Sequence, residues 1–85
     1  MTNFSYTIKD KLGIHARPAG QLVKLAQSFD SDIKIIKKDK SGDAKKIFSV
    51  MSLSVKYDDE INFVISGDDE AEAKNKIEKF LNENL

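Results

Sequence analysis

The chain has no cysteine and no tryptophan, and only one proline, one histidine and four glycines among 85 residues. Without cysteine there is no disulfide framework, no thiolate metal site and no thiol nucleophile. Such a composition suits a reducing compartment. A metal site takes about three or four protein ligands, and one histidine with scattered carboxylates supplies no such set. No metal or other cofactor is expected. An excess of charge is missing too, because 14 basic and 14 acidic residues cancel. That argues against a dedicated nucleic-acid binder. No apolar run approaches the ~20 residues that a membrane helix requires. The N-terminal stretch lacks the basic-then-apolar order of a secretory signal. A cytoplasmic protein with no direct membrane insertion is the expectation.

What remains is 40% hydrophobic and 33% charged, ordinary for a globular chain and too apolar for disorder. The length fits one small domain over residues 1–85 with a modest core. Phe4, Tyr6 and Ile8 alternate with Ser5, Thr7 and Lys9, which predicts a half-buried strand. After a turn at Asp10–Gly13 the period changes. Ala19, Leu22, Val23, Ala26 and Phe29 fall on one face of a helix. Pro18 fits only its first turn, so the helix must start close to His15.

Ile33, Ile35 and Ile36 predict a second strand, and Lys40–Asp43 reads as a turn with a short third strand nearby. Ile47–Leu53 fits a strand or a short helix equally well. As a helix it would put Val50 and Leu53 on one face, with Ile47, Phe48 and Met51 beside it. Ile61, Phe63 and Ile65 alternate as a strand after a turn at Tyr57–Asp59. A last helix carries Ala73, Ile77, Phe80 and Leu81 inward. Asp68 or Asp69 can cap it, and Glu70–Lys74 and Glu72–Lys76 are spaced for ion pairs. The pattern is α+β: one mostly antiparallel sheet, helices on one face, and Ser5, Thr7, Lys34 and Asn62 on the wet face.

The chemistry concentrates in Gly13-Ile14-His15-Ala16-Arg17-Pro18, which holds the sole histidine and the sole proline. No serine lies in a G-x-S-x-G elbow, which disfavours a hydrolase. A neutral imidazole carries a free lone pair and can act as a nucleophile. A helix start offers unpaired N–H groups to a phosphoryl group, and Arg17 adds a planar donor fork. Residue chemistry alone leaves two readings open. His15 either flanks a helix without function or attacks phosphorus. Gly20 likewise is either a tolerated imperfection or a gap left for something that docks above the first turn.

The stretch Gly13-Ile14-His15-Ala16-Arg17-Pro18-Ala19 resembles the active-site signature of the histidine-containing phosphocarrier (HPr) family of the bacterial phosphoenolpyruvate-dependent sugar phosphotransferase system. Lys45-Lys46-Ile47-Phe48-Ser49-Val50-Met51-Ser52-Leu53 resembles the second motif of that family. Ser28–Ile33 and Ser66–Glu70 match it as well, so the resemblance spans the chain. It implies an open-faced β-sandwich: a four-stranded antiparallel sheet with three helices on one face, in the order βαββαβα. It implies that Ile47–Leu53 holds the short helix. It implies a phosphoryl carrier rather than a turnover enzyme, with Enzyme I as donor and the A units of sugar-specific Enzyme II as acceptors.

Carried over to this sequence, His15 is the phosphoacceptor, through its δ1 nitrogen, and Arg17 both stabilises the phosphoryl group and contacts partners. Gly20, Lys24 and Gln27 on the first helix, with Ile47, Phe48 and Met51, form the surface that meets partners. Phe48 is expected to be exposed, and the protein to be a monomer. Regulatory proteins are further possible partners. A carrier of a regulatory, nitrogen-type branch would share the chemistry and differ in its partners. A docking-only regulatory module would have no need of His15 and Arg17. Three positions depart from the family. Lys46 stands where many relatives have a regulatory serine, so control by phosphorylation there is not expected. Ser49 and Ser54 stand where many have glycine.

Overall fold

The computed structural model describes residues 1–85. Four strands form one antiparallel sheet: β1 (Thr2–Thr7), β2 (Asp32–Lys37), β3 (Lys40–Asp43) and β4 (Glu60–Ser66). They lie in the order β1-β4-β2-β3, so the last strand of the sequence is inserted between the first two. This central strand explains the unbroken Ile61, Phe63, Ile65 face, every member of which is fully buried. Phe4 lies opposite Phe63 in the register, and the two rings stack 5.1 Å apart. Ile33 and Ile35 continue the same inner face on β2. Ser5, Lys34 and Asn62 point the other way and are exposed, as the alternation predicts, while Thr7 is half-buried.

Three helices cover the inner face: α1 (Ala16–Gln27), α2 (Ile47–Met51) and α3 (Glu70–Asn84). In α1 the buried set is Pro18, Ala19, Leu22, Val23 and Ala26, with Phe29 buried just beyond its end. In α3 it is Ala73, Ile77 and Leu81. Phe80 packs beside them, partly covered. The ambiguous segment is a helix, and Val50 and Leu53 are the residues it buries. Tertiary contact with α1 and β3 decides this, not periodicity. The architecture is the open-faced βαββαβα sandwich that the resemblance implies.

Three local expectations change. Lys40–Asp43 is not a turn but β3 itself; the turn is Lys38–Asp39, where Lys38 takes φ 56° and Lys37 pairs with Lys40. Neither Asp68 nor Asp69 caps α3 through its side chain. Asp69 occupies the cap position, but its carboxylate accepts the N–H groups of Asp30 and Ser31 and the Ser31 hydroxyl. Those donors hold the carboxyl of Asp69 below the usual carboxylate range, the Ser31 hydroxyl first and the Asp30 N–H next. The Glu70–Lys74 pair is absent. Glu70 instead turns back to accept from Gly67 N–H, Thr2 Oγ1 and the N-terminal ammonium, at 3.0, 2.7 and 3.0 Å. Lys74 pairs with Glu78, whereas Glu72–Lys76 forms as expected at 3.3 Å.

Candidate functional site

His15 is the cap residue of α1, with extended backbone (φ −110°, ψ 178°). Its carbonyl accepts the Ala19 N–H at 2.9 Å and so starts the helix. Its side chain does not cap, which leaves the ring free of the helix it begins. The ring is 39% exposed, with Nε2 3.8 Å from Asp10 Oδ2. The first-turn N–H groups of Ala16 and Arg17 donate to nothing in the protein, and Pro18 has none to offer. The first turn holds no acidic residue. Arg17 is exposed and makes no ion pair. A helix start with open donors, partial positive charge and a free guanidinium is an anion site in physical terms.

The loop that carries His15 is pinned from two sides. Asp10 accepts the Gly13 N–H on its carbonyl at 2.9 Å and the Leu12 N–H on Oδ1 at 2.8 Å. On the other side Ile14 N–H donates to Val55 O at 3.0 Å, and Ile14 is buried. Gly13 sits at φ 69°, and a Cβ there would lie 2.4 Å from Val55 O. Only glycine allows both the turn and that approach.

Beside this site lies an apolar patch. Phe48 is 85% exposed and Met51 38%, while Ile47 packs partly against the core. Gly20, Lys24 and Gln27 are exposed on α1 at one-turn intervals. Gln27 does more than face outward: its amide donates to Lys45 O at 2.8 Å and ties the approach to α2 onto α1. Lys45 returns the link, with Nζ donating to Phe29 O at 2.7 Å. A Cβ at Gly20 would meet nothing within 4 Å, so packing within the chain does not require glycine there. Neither residues 11–29 nor residues 44–55 contain an aspartate or glutamate, so both segments are basic and apolar, and the carboxylate beside His15 is that of Asp10.

Both serines that depart from the family pattern are accommodated. Ser49 Oγ accepts the Asp43 N–H at 2.8 Å, joining α2 to the edge strand β3. Ser54 adopts φ 52°, a conformation that costs a non-glycine residue about 1–2 kcal/mol. Its carbonyl accepts from Lys37 Nζ at 2.8 Å, and the same ammonium pairs with Asp59 at 3.0 Å. Lys46 is the cap residue of α2, extended and exposed.

Sequence reasoning missed Asp10, which it read only as a turn residue. Five positions and a glycine turn separate it from His15, and no spacing rule links them. It also missed Leu12, which is 73% exposed in the same loop. An apolar residue in a turn was the available signal. The one sizeable concavity, about 630 Å³, is lined by residues such as Asp32, Lys34, Asp43 and Val64 and includes none of His15, Arg17 or Phe48. No three His, Asp or Glu side chains are grouped to hold a metal ion.

A family model described as the PTS HPr component phosphorylation site matches residues 2–83. The chain belongs to the HPr family. It is 44% identical to the phosphocarrier protein HPr of Mycoplasma capricolum subsp. capricolum over 73 residues, covering 86% of this chain and 82% of that one. Its fold superposes on the histidine-containing phosphocarrier protein of a mycoplasma with a TM-score of 0.94 at 39% identity, covering 96% of this chain and 93% of the other. Crh, a catabolite-repression protein of Bacillus subtilis, is also similar, with a TM-score of 0.78 at 34% identity, covering 100% and 98% of the two chains. Its crystal structure is a domain-swapped dimer, so resemblance to HPr does not by itself imply a monomer. No helix of this HPr-family chain is long and apolar enough to cross a membrane.

Proposed function

We propose that residues 1–85 act as one cytoplasmic, monomeric phosphocarrier domain, which takes a phosphoryl group from phospho-Enzyme I on His15 and passes it to the A unit of a sugar-specific Enzyme II. The observation that carries this reading is the start of α1. An imidazole that makes no hydrogen bond, its Nε2 facing Asp10 Oδ2 at 3.8 Å, lies beside two unbonded N–H groups and an unpaired Arg17, with no carboxylate in the helical turn itself to repel an anion. In the proposed step the Nδ1 lone pair of His15 attacks phosphorus. The bond between phosphorus and its donor atom on Enzyme I breaks, and its electron pair stays with the donor. Arg17 and the free N–H groups hold the phosphoryl oxygens. The same bond exchange in reverse delivers the group to the next acceptor, so nothing is consumed on the carrier.

Phe48, Met51 and Ile47 supply the apolar centre of the docking surface, and Gly20, Lys24 and Gln27 its α1 side. The basic residues of α1 and of the approach to α2 suit partners with acidic docking faces. Lys46 carries a fixed positive charge where a regulatory phosphate would be negative, so docking stays permitted. The test is incubation with phosphoenolpyruvate, magnesium and Enzyme I, followed by mass measurement. The expected product is one acid-labile phosphoryl adduct, absent from His15→Ala. An undiminished adduct on His15→Ala, or none on the wild type, overturns the reading.

A further inference from the structure

Asp10 has no part in the reading above, yet its carboxylate is paired with His15. It is held in place rather than loosely solvated. Its backbone N–H donates to Leu85 O at 2.8 Å, its carbonyl accepts the Gly13 N–H at 2.9 Å, and its Oδ1 accepts the Leu12 N–H at 2.8 Å. These bonds leave Oδ2 3.8 Å from His15 Nε2, with the two side chains 30% and 39% exposed. That separation is too long for a hydrogen bond and within reach of an ion pair.

The geometry points to Asp10 as a positioning residue for His15, one that keeps the ring proton on Nε2 and leaves the lone pair on Nδ1. The inference rests on the carrier role proposed above. An ionised carboxylate accepts and cannot donate, so it favours the tautomer whose N–H lies on its own side. Oδ2 then strengthens the preference that a neutral histidine ring already has for carrying its proton on Nε2. The charge also serves the transfer. When Nδ1 forms its bond to phosphorus and the donor's bond breaks, the His15 ring becomes a cation with its proton still on Nε2. Asp10 stands beside the nitrogen that carries that proton. When the phosphoryl group leaves, the bonding pair returns to Nδ1 and the ring is neutral again. No proton moves in either step.

The experiment uses the full chain with ¹⁵N-labelled histidine, wild type and Asp10→Asn. Asparagine keeps an Oδ1 acceptor for the Leu12 N–H and removes the charge. Long-range ¹H–¹⁵N spectra of the unphosphorylated protein read the ratio of the two neutral tautomers. The Nε2–H form should dominate in the wild type. In Asp10→Asn the ratio should fall about two-fold, below the full scale of an exposed ion pair because the ring is neutral in both tautomers. The rate of phosphoryl uptake from Enzyme I should fall by a similar factor, with an unchanged melting temperature. Asp10→Ser, which also retains an acceptor without charge, should give the same ratio; this guards against a loop disturbance peculiar to asparagine. An unchanged ratio in both variants, a dominant Nδ1–H form in the wild type, or an unchanged uptake rate overturns the inference. A wild-type protein that takes up no phosphoryl group at all overturns the carrier reading instead, and the tautomer ratio still decides what Asp10 does to the ring.

Discussion

Replacing Phe48 with alanine removes the most exposed large apolar side chain on the surface between α1 and α2. Phe48 is 85% exposed, so folding covers little of it. Of the ~200 Å² that a phenylalanine side chain can bury, about 30 Å² is covered within the chain, which at ~25 cal/mol per Å² is less than ~1 kcal/mol. The remaining ~170 Å² becomes available only when a partner docks, an upper limit of about 4 kcal/mol by the same coefficient. Association does not realise area in full, and aromatic anchors at interface centres are typically worth about 2 kcal/mol or more. At ~1.4 kcal/mol per factor of ten, that predicts roughly a thirty-fold rise in KM for phosphoryl uptake from Enzyme I. The melting temperature should move by a few degrees at most, and kcat should change little because His15 is untouched. Steady-state transfer kinetics and a thermal melt on the same preparation check both halves. A normal KM would show that Phe48 is a bystander. A large loss of stability would show that its exposure has been misjudged.

Other perturbations test other links. Gly13→Ala forces a Cβ to within 2.4 Å of Val55 O at φ 69°. It should cost about 1–3 kcal/mol in chemical denaturation and slow phosphoryl uptake by displacing His15. Ser49→Ala deprives the Asp43 N–H of its 2.8 Å acceptor; because Asp43 is exposed and water can replace the hydroxyl, a loss of only about 0.5–1 kcal/mol is expected in urea unfolding. Glu70 is held at a pKa of about 2, below its ordinary 4.5, first by the Gly67 N–H, then by the Thr2 hydroxyl and the N-terminal ammonium. The depressed value means that its contribution is complete above pH 4.5 and is lost as pH falls toward 2. Stability should therefore decline across that window more steeply in the wild type than in Glu70→Gln, and equal slopes would refute the assignment.

Much of the molecule is legible in one dimension because the relevant rules are local. The alternation of Ile61, Phe63 and Ile65 and the one-face spacing of Ala19, Leu22, Val23 and Ala26 report which side of each element meets the core. Pro18 limits where α1 can begin, and the family wording around His15 marks where the chemistry lies. Local rules fail where a side chain has two suitors. Asp69 looks like a cap for α3, but the loop at Asp30–Ser31, brought close by the fold, takes its carboxylate. Glu70 looks like a partner for Lys74, but Gly67, Thr2 and the N-terminus compete for it. Lys40–Asp43 has the composition of a turn and becomes an edge strand because β2 is there to pair with it.

The sequence by itself determined β1, β2, β4, α1 and α3, their buried stripes and the family to which His15 and Arg17 belong. Each of these depends on residue type and on spacing within a few turns or pleats. Periodicity left Ile47–Met51 open and the family resemblance made it a helix; only the tertiary structure decided that Gln27 and Lys45 clasp it to α1, and that Gly13 must stay glycine against Val55. The same is true of Asp10, whose carboxylate reaches His15 because Leu12, Gly13 and Leu85 hold its loop in place. Such contacts join residues that no periodicity relates, and their energies exist only once the sheet and its helices have brought the partners together.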